Sequence, residues 1–223
     1  MSIHDQITVV IPVRDLDKYL DEAISSVLNQ ESVDCKIVVV DAGSIEKIKI
    51  PSPFNHDSRV RLIRSETPLT AGGARNLGLE HCKTKYLAFL DSDDVWPLDR
   101  SSVMIKEFIN TNINVVVGMV QNFGSDAAKR VLIVDETRKR ALLAGGILMK
   151  SEVLQEIGIF DPTLQSGEFI DWFQRIKSAD IACSYIDALV LERRIHDEST
   201  TAGQIHDRPD YLKVVRAWMN QKS

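Results

Sequence analysis

The sequence has few of the features that hold small secreted proteins together or carry proteins into membranes. It contains only three cysteines, an odd number that are far apart in the chain, so a disulfide framework is not expected. No apolar run approaches the ~20 residues that span a bilayer. The first residues, 1–6, also lack the apolar core of a signal peptide. We therefore expect a cytoplasmic protein with reduced cysteines and no membrane span.

An excess of positive charge is also absent. The formal net charge is −5, and the lysines and arginines are scattered along the chain. This distribution argues against nucleic acid as a partner, so any anionic ligand must be held by a local site. With 44% hydrophobic composition the chain can bury a full core. One α/β domain over residues 1–223 is the natural expectation.

Strand and helix patterns alternate in the first half of the chain. Apolar, β-branched runs at Ile7–Ile11, Lys36–Val40 and Val60–Arg64 predict buried strands. Apolar residues at helical spacing predict a helix over Leu16–Leu28, and the glycine-rich residues 70–79 predict the entry into another. Strand, helix and strand in this order predict a doubly wound sheet with parallel strands. In such sheets ligands bind beyond the carboxyl ends of the strands.

An acidic motif follows the strand predicted at Tyr86–Leu90. Asp91, Asp93 and Asp94 lie within four positions of one another. Carboxylates this close repel one another unless a cation or a set of donors neutralises them. Oxygen ligands on a short loop suit Mg²⁺ or Mn²⁺, which keep several waters and take up substrate phosphate. The alternative is that Ser92, Asp93 or Asp94 caps the helix expected to begin near Pro97.

Two further polar residues are expected at the same edge of the sheet. Asp41 directly follows the second predicted strand, although it could be an ordinary turn residue before Gly43. Arg75 lies near the start of the glycine-rich helix, where a positive charge opposes the helix dipole. A bound anion or a specific acceptor therefore explains Arg75 better than helix stability does.

The second half of the chain is less regular. A helix is expected after Trp96, and a short amphipathic helix is expected at 209–220. Apolar runs predict four strands, at Val115–Val120, Arg130–Val134, Gly145–Met149 and Ser184–Leu191. The first two are expected to form a hairpin.

A helix with two carboxylates near its start is predicted from Glu168. Its apolar face comprises Phe169, Trp172, Phe173 and Ile176. Glu168 and Asp171 lie on the adjoining stripe, where either could act as a general base, and the flat Trp172 could support a sugar ring. The simpler alternative is favourable charge at a helix N-terminus, which contributes about 0.3–1 kcal/mol for each residue.

His196 leaves the last predicted strand beside a polar stretch, residues 197–203. An imidazole in this position is a candidate metal ligand or proton partner, and a surface histidine is the alternative.

Seven segments together resemble the family-2 glycosyltransferases. They are, in order, Val9–Pro12, Ser26–Gln30, Val38–Ser44, Ala74–Gly78, Phe89–Asp94, Gly158–Asp161 and Arg194–His196. The resemblance runs from about Ile7 to Thr201. It implies an α/β fold of GT-A type, with a Rossmann-like, mostly parallel sheet and helices on both faces. Residues 1–98 would form the nucleotide-sugar-binding half, and 99–223 the acceptor-facing half with the C-terminal helix.

The resemblance also implies a reaction. A sugar would move from a nucleotide-diphosphate sugar, first of all a UDP-sugar, to a hydroxyl of a saccharide or another acceptor, with inversion and with help from Mn²⁺ or Mg²⁺. The donor would be bound by Pro12, Val13, Asp41, Arg75, Asp91 and Asp93. The metal would be bound by Asp91, Asp93 and His196. Glu168 or Asp171 would be the catalytic base, and Trp172 would contact the acceptor.

The chain departs from the family pattern at three places. Asp41-Ala42 replaces paired aspartates and Arg14-Asp15 replaces an aromatic residue and Asn, which leaves base selectivity open. Glu168-Phe169 replaces Glu-Asp, so one carboxylate is missing. Helical geometry turns Asp171 about 60° further toward solvent, which favours Glu168 as the base. Two other readings stay open: an impaired nucleotide-sugar-binding module, and a nucleotidyltransferase, whose glycine-rich, basic loop after the first strand is not found here.

Overall fold

Seven strands form one sheet in the order β3-β2-β1-β4-β6-β5-β7. The computed structural model describes residues 6–15, 18–109, 111–124 and 135–196. The strands are β1 (Gln6–Val13), β2 (Asp34–Asp41), β3 (Val60–Arg64), β4 (Tyr86–Phe89), β5 (Val115–Gly124), β6 (Ile147–Lys150) and β7 (Cys183–Ile195). Neighbours among β1 to β4 are parallel, β6 is antiparallel to β4 and β5, and β7 is parallel to β5. The sheet is mostly parallel, as predicted.

The central strands are largely apolar because both of their faces are covered. In β1, Val9 and Ile11 belong to the core on one face of the sheet, and Val10 belongs to the core on the other. None of the three is exposed. This explains why the sequence shows an unbroken apolar run rather than the alternation of a half-exposed strand.

β1 extends two residues further than the sequence pattern predicts. We expected Pro12 to end the strand at Ile11, but β1 continues to Val13, which pairs with Asp41 of β2. On its other side, β1 pairs with β4 only as far as Val10 and Phe89. Pro12 therefore lies beyond that second ladder, where its missing N–H is tolerated.

Helices cover both faces of the sheet, as predicted. They are α1 (Leu20–Leu28), α2 (Ala71–Leu79), α3 (Arg100–Lys106), α4 (Val153–Ile157) and α5 (Glu168–Ser178). The buried residues of α1 and α3 join the core on one face, and those of α2, α4 and α5 join the other. The first helix begins at Leu20, later than expected, and residues 16 and 17 are outside the described part.

The predicted hairpin is only partly described. β5 lies between β6 and β7, and it is four residues longer than expected. Residues 130–134, the polar stretch 197–203 and the helix expected at 209–220 fall outside the described residues. A short 3₁₀ turn, Ala144–Gly146, leads into β6. Among the described helices, none is long and apolar enough to cross a bilayer.

Candidate active site

A cavity of about 740 Å³ opens at the edge of the sheet where β1 and β4 end. It is the edge predicted to bind the ligand. The residues that line it include Pro12 to Asp15, Ala42, Thr70, Arg75, Asp91 to Asp94, Leu142 to Ala144, Gln165 to Ile170, Arg193 and Arg194. Of the site residues predicted from the sequence, Pro12, Val13, Arg75, Asp91, Asp93 and Glu168 are in this wall.

Arg75 joins carboxylates from two distant parts of the chain. Its Nη2 is 2.8 Å from Asp91 Oδ1, and its Nη1 is 2.6 Å from Glu168 Oε1. Burial disfavours the charged guanidinium, but the two carboxylates outweigh it and raise the pKa of Arg75. The prediction that Arg75 needs a specific acceptor is thus confirmed. Asp91 Oδ2 and Glu168 Oε2 accept no hydrogen bond from the described residues.

Asp93 is held by His196, which lies 103 residues later. The Nε2 of His196 is 2.9 Å from Asp93 Oδ2. His196 is 5% exposed and packs at 5.3 Å from the Tyr19 ring, so the alternative of a surface histidine is wrong. Its ring is not in the described cavity wall. In this arrangement His196 reaches the cavity through Asp93, and its predicted role as a metal ligand stays a prediction.

Arg194 fastens the acidic loop to the end of β7. Its backbone N–H donates to Asp94 Oδ1 at 2.8 Å, and its Nε donates to the Asp93 carbonyl at 2.8 Å. Burial, followed by the charges of Asp93 and Asp91, raises the pKa of Asp94 well above its ordinary value. The alternative role of the acidic residues as helix caps is wrong, because α3 begins at Arg100.

Asp41 is buried beneath the site and does not line it. Its carboxylate accepts the backbone N–H groups of Ser44 at 2.9 Å and Ile48 at 3.2 Å, and it pairs with Arg64. Burial opposes ionisation, but these hydrogen bonds outweigh it and lower the pKa of Asp41. Only 1% of Asp41 is exposed. The prediction of direct donor contact is therefore corrected: Asp41 fixes the loop after β2.

Trp172 is a core residue, and the prediction that it contacts the acceptor is wrong. Its side chain is not exposed. Its indole N–H donates to the Gly158 carbonyl at 3.0 Å, and its ring stacks on Phe160 with centroids 4.6 Å apart. The apolar face of α5 that predicted a platform is instead the face that the helix buries against the sheet.

The two candidate bases on α5 differ in position. The Glu168 side chain is 13% exposed and is in the cavity wall. Asp171 is outside that wall, and its carboxylate lies 3.4 Å from Arg175 on the next turn. The expectation that Asp171 could be the base is therefore contradicted by its position. Phe169, where relatives have a second carboxylate, is buried.

Several residues of the site were missed as functional residues. From the sequence, Arg194 is named only as part of the Arg194–His196 segment. Its position at the end of a predicted strand could have marked it as a residue of the site. Asp15 accepts the Ile45 N–H at 2.8 Å and its own N–H donates to Ser44. Gly167 has φ 80°, in the left-handed region that favours glycine, and it directs the chain into α5. No sequence signal marked those local contacts.

The site offers oxygen ligands but no complete metal cluster. Within the described ranges, no three His, Cys, Asp or Glu side chains converge as a set that could hold a metal ion. Asp91 and Asp93 nevertheless both line the cavity, and no described residue donates a hydrogen bond to Asp91 Oδ2 or Asp93 Oδ1. Such a pair suits a cation that keeps most of its ligands as water and phosphate.

The fold is of the GT-A type. The described architecture is similar to that of TarS 1–349 from S. aureus, solved in complex with UDP-GlcNAc, with a TM-score of 0.75 and 17% sequence identity. The match covers 95% of this chain and 65% of that one. TarS has also been solved in complex with UDP, and that structure matches with a TM-score of 0.69.

The chain belongs to glycosyl transferase family 2, whose model matches residues 8–154. It is a glycosyltransferase. It is 24% identical over 206 residues to WfgD of Escherichia coli, a UDP-Glc:alpha-D-GlcNAc-diphosphoundecaprenol beta-1,3-glucosyltransferase, covering 90% of this chain and 81% of WfgD. It is 31% identical over 125 residues to glycosyltransferase GlyA of Streptococcus pneumoniae. That alignment covers 55% of this chain and 18% of GlyA. The chain thus spans most of WfgD but only a small part of GlyA.

Proposed function

We propose that the chain transfers a sugar from a nucleotide-diphosphate sugar to an acceptor hydroxyl with inversion at the anomeric carbon. Uridine diphosphate sugars are the first donors to test, because WfgD is named for UDP-Glc and TarS was solved with UDP-GlcNAc. A saccharide, or another molecule that presents a hydroxyl, is the proposed acceptor.

One observation carries the proposal: carboxylates from two distant parts of the chain line a single cavity. Asp91 and Asp93 come from the loop after β4, and Glu168 comes from the start of α5. Inversion in one displacement needs stabilised charge at the leaving diphosphate and a base that takes the acceptor proton on the other side of the sugar. The aspartate pair can serve the leaving diphosphate, and Glu168 can serve the acceptor hydroxyl.

Glu168 is the proposed base. Its Oε1 is held by Arg75, and its Oε2 accepts no hydrogen bond from the described residues. The second oxygen is therefore available to receive the proton of the acceptor hydroxyl. A positioned carboxylate of this kind typically increases turnover by roughly 10²- to 10⁴-fold.

Mn²⁺ or Mg²⁺ fits the available oxygens of Asp91 and Asp93, which would hold it. When bound, such a cation neutralises charge on a diphosphate. His196 would contribute by fixing Asp93 through the 2.9 Å contact rather than by binding the ion directly. Asp94 is buried, and the backbone N–H of Arg194 already donates to it, so it shapes the loop instead.

The test is a calorimetric titration of UDP and UDP-glucose, each with and without Mn²⁺. Asp93→Asn should retain the fold and lose the part of the nucleotide affinity that depends on Mn²⁺. Asp187→Asn is the matched control, because the Asp187 side chain is 91% exposed and pairs with Arg140 on the surface. Equal affinities for wild type and Asp93→Asn in Mn²⁺ would contradict the cation assignment.

The stereochemistry requires a separate measurement. The anomeric configuration of donor and product is compared by NMR, with a panel of saccharide acceptors. Product with the configuration opposite to that of the donor supports a single displacement. Retained configuration would refute the proposed mechanism while leaving sugar transfer intact.

A further inference from the structure

Arg75 occupies an unusual position for a residue expected to bind the donor. Its side chain is only 5% exposed, and its two terminal nitrogens each contact a protein carboxylate, Asp91 at 2.8 Å and Glu168 at 2.6 Å. Its Nε is buried without a hydrogen-bond partner. The guanidinium is thus engaged at both ends by the protein before any donor is bound.

The surroundings of Arg75 hold α2 close to the start of α5. A Cβ at Gly72 would lie 3.3 Å from Glu168 Cγ, so the helix passes this side chain at close range. Asn76, the next residue, exchanges two hydrogen bonds of 2.9 Å with the backbone of Phe160. Phe160 in turn lies 5.7 Å from the Arg75 guanidinium. These contacts leave Arg75 little freedom to move toward a ligand.

We propose that Arg75 is a positioning residue for the base Glu168. Arg75 donates to one oxygen of each carboxylate, Oδ1 of Asp91 and Oε1 of Glu168. Both residues line the cavity, and we infer that their second oxygens are available to it. One rigid fork therefore sets the distance between the proposed base and the proposed cation-binding carboxylate. A lysine, with a single ammonium, cannot reproduce this geometry.

This inference rests on the proposed function, since it assigns Arg75 a role through Glu168. It replaces the expectation that Arg75 binds the nucleotide. The two roles predict different kinetics: loss of a donor ligand weakens donor binding, whereas loss of a positioning residue lowers turnover.

The experiment is a double-mutant cycle on turnover and donor Kd with Arg75→Gln, Glu168→Gln and both together. Arg75→Gln should lower kcat by roughly 10- to 100-fold. Because Arg75 also pairs with Asp91, a proposed cation ligand, donor Kd is measured without a divalent cation and should change by no more than about twofold. The double variant should be no slower than Glu168→Gln alone, because Arg75 then has no base to position. Arg75→Lys, measured in the same cycle, keeps the buried charge and should recover only part of the lost kcat.

Arg64→Gln is the matched control. Arg64 is also a partly buried arginine paired with an aspartate, Asp41, but it does not contact Glu168. The fold-loss of kcat in the Arg64→Gln, Glu168→Gln double variant should equal the product of the losses in the two single variants. Thermal unfolding of every variant verifies that the fold is retained, and if Arg75→Gln fails to fold, the Arg75→Lys arm of the cycle decides.

Three results would overturn the inference, and they are distinguishable. A tenfold or larger increase in donor Kd with unchanged kcat would make Arg75 a donor ligand. Losses that multiply in the Arg75 and Glu168 double variant would show that the two act independently. Full activity of Glu168→Gln would refute the proposed base, and with it this role for Arg75.

Discussion

Replacing Trp172 tests whether this face of α5 is core or acceptor surface. The side chain is fully buried, donates to the Gly158 carbonyl and stacks on Phe160. Truncating a buried Trp to Ala costs about 3–5 kcal/mol. Trp172→Phe keeps most ring contacts but loses the hydrogen bond, about 1 kcal/mol, and some volume, about 1 kcal/mol. In a chain of this size each kcal/mol shifts Tm by about 2–4 °C, so we expect losses of about 6–20 °C for Ala and about 4–8 °C for Phe.

The assay combines thermal and urea unfolding, both followed by circular dichroism, with initial-rate kinetics. Leu98→Ala is the control, because Leu98 is 53% exposed and should change the free energy of unfolding by less than about 0.5 kcal/mol. Acceptor KM should be nearly unchanged in folded Trp172→Phe. Unchanged stability together with a raised acceptor KM would refute the reasoning and return Trp172 to the acceptor site.

Three further predictions concern carboxylates and their partners. Glu168→Gln should lower turnover by roughly 10²- to 10⁴-fold with donor Kd unchanged, whereas Asp171→Asn should be nearly fully active in a side-by-side rate assay; the reverse pattern would move the base to Asp171. His196→Ala releases Asp93 and should weaken Mn²⁺-dependent UDP binding by about 10- to 100-fold in calorimetry, and an unchanged Kd would leave His196 a structural role only. Burial opposes the ionisation of Asp41, yet its hydrogen bonds lower the pKa, so it stabilises the fold above its unfolded pKa and this contribution is lost as pH falls through the lower folded pKa. The stability deficit of Asp41→Asn in urea should therefore be present at about pH 7 and shrink below about pH 4; a deficit independent of pH would contradict this.

The strands and their common edge were predictable because they depend on local pattern. Apart from Thr8, Ile7–Ile11 and Tyr86–Leu90 are apolar or aromatic, as expected of strands buried on both faces, and β1 and β4 are neighbours in the parallel part of the sheet. The polar residue after each strand then lies at the edge where the cavity opens. This reasoning located Asp91 and Asp93 correctly in the cavity wall.

The directions of individual side chains were less predictable because they depend on distant contacts. Asp41 follows a strand just as Asp91 does, but Arg64 from β3 pairs with Asp41 and holds it inside the protein. The partners of Arg75 are 16 and 93 residues away in sequence, so neither could be read from a local pattern. Trp172 shows a different limit, because the amphipathic pattern that marks a face as apolar cannot distinguish a buried ring from a binding platform.

The end of β7 holds the acidic loop in place, so the order of synthesis along the chain determines when the site is complete. The match to the family model ends at residue 154, whereas Glu168, Arg194 and His196 lie beyond it. A nascent chain that has emerged only to that point carries Asp91 and Asp93 but lacks Glu168, the proposed base, and both residues that hold the loop. If the proposed roles of these residues hold, sugar transfer begins only once β7 has been synthesised, and a chain that ends before β7 does not consume donor.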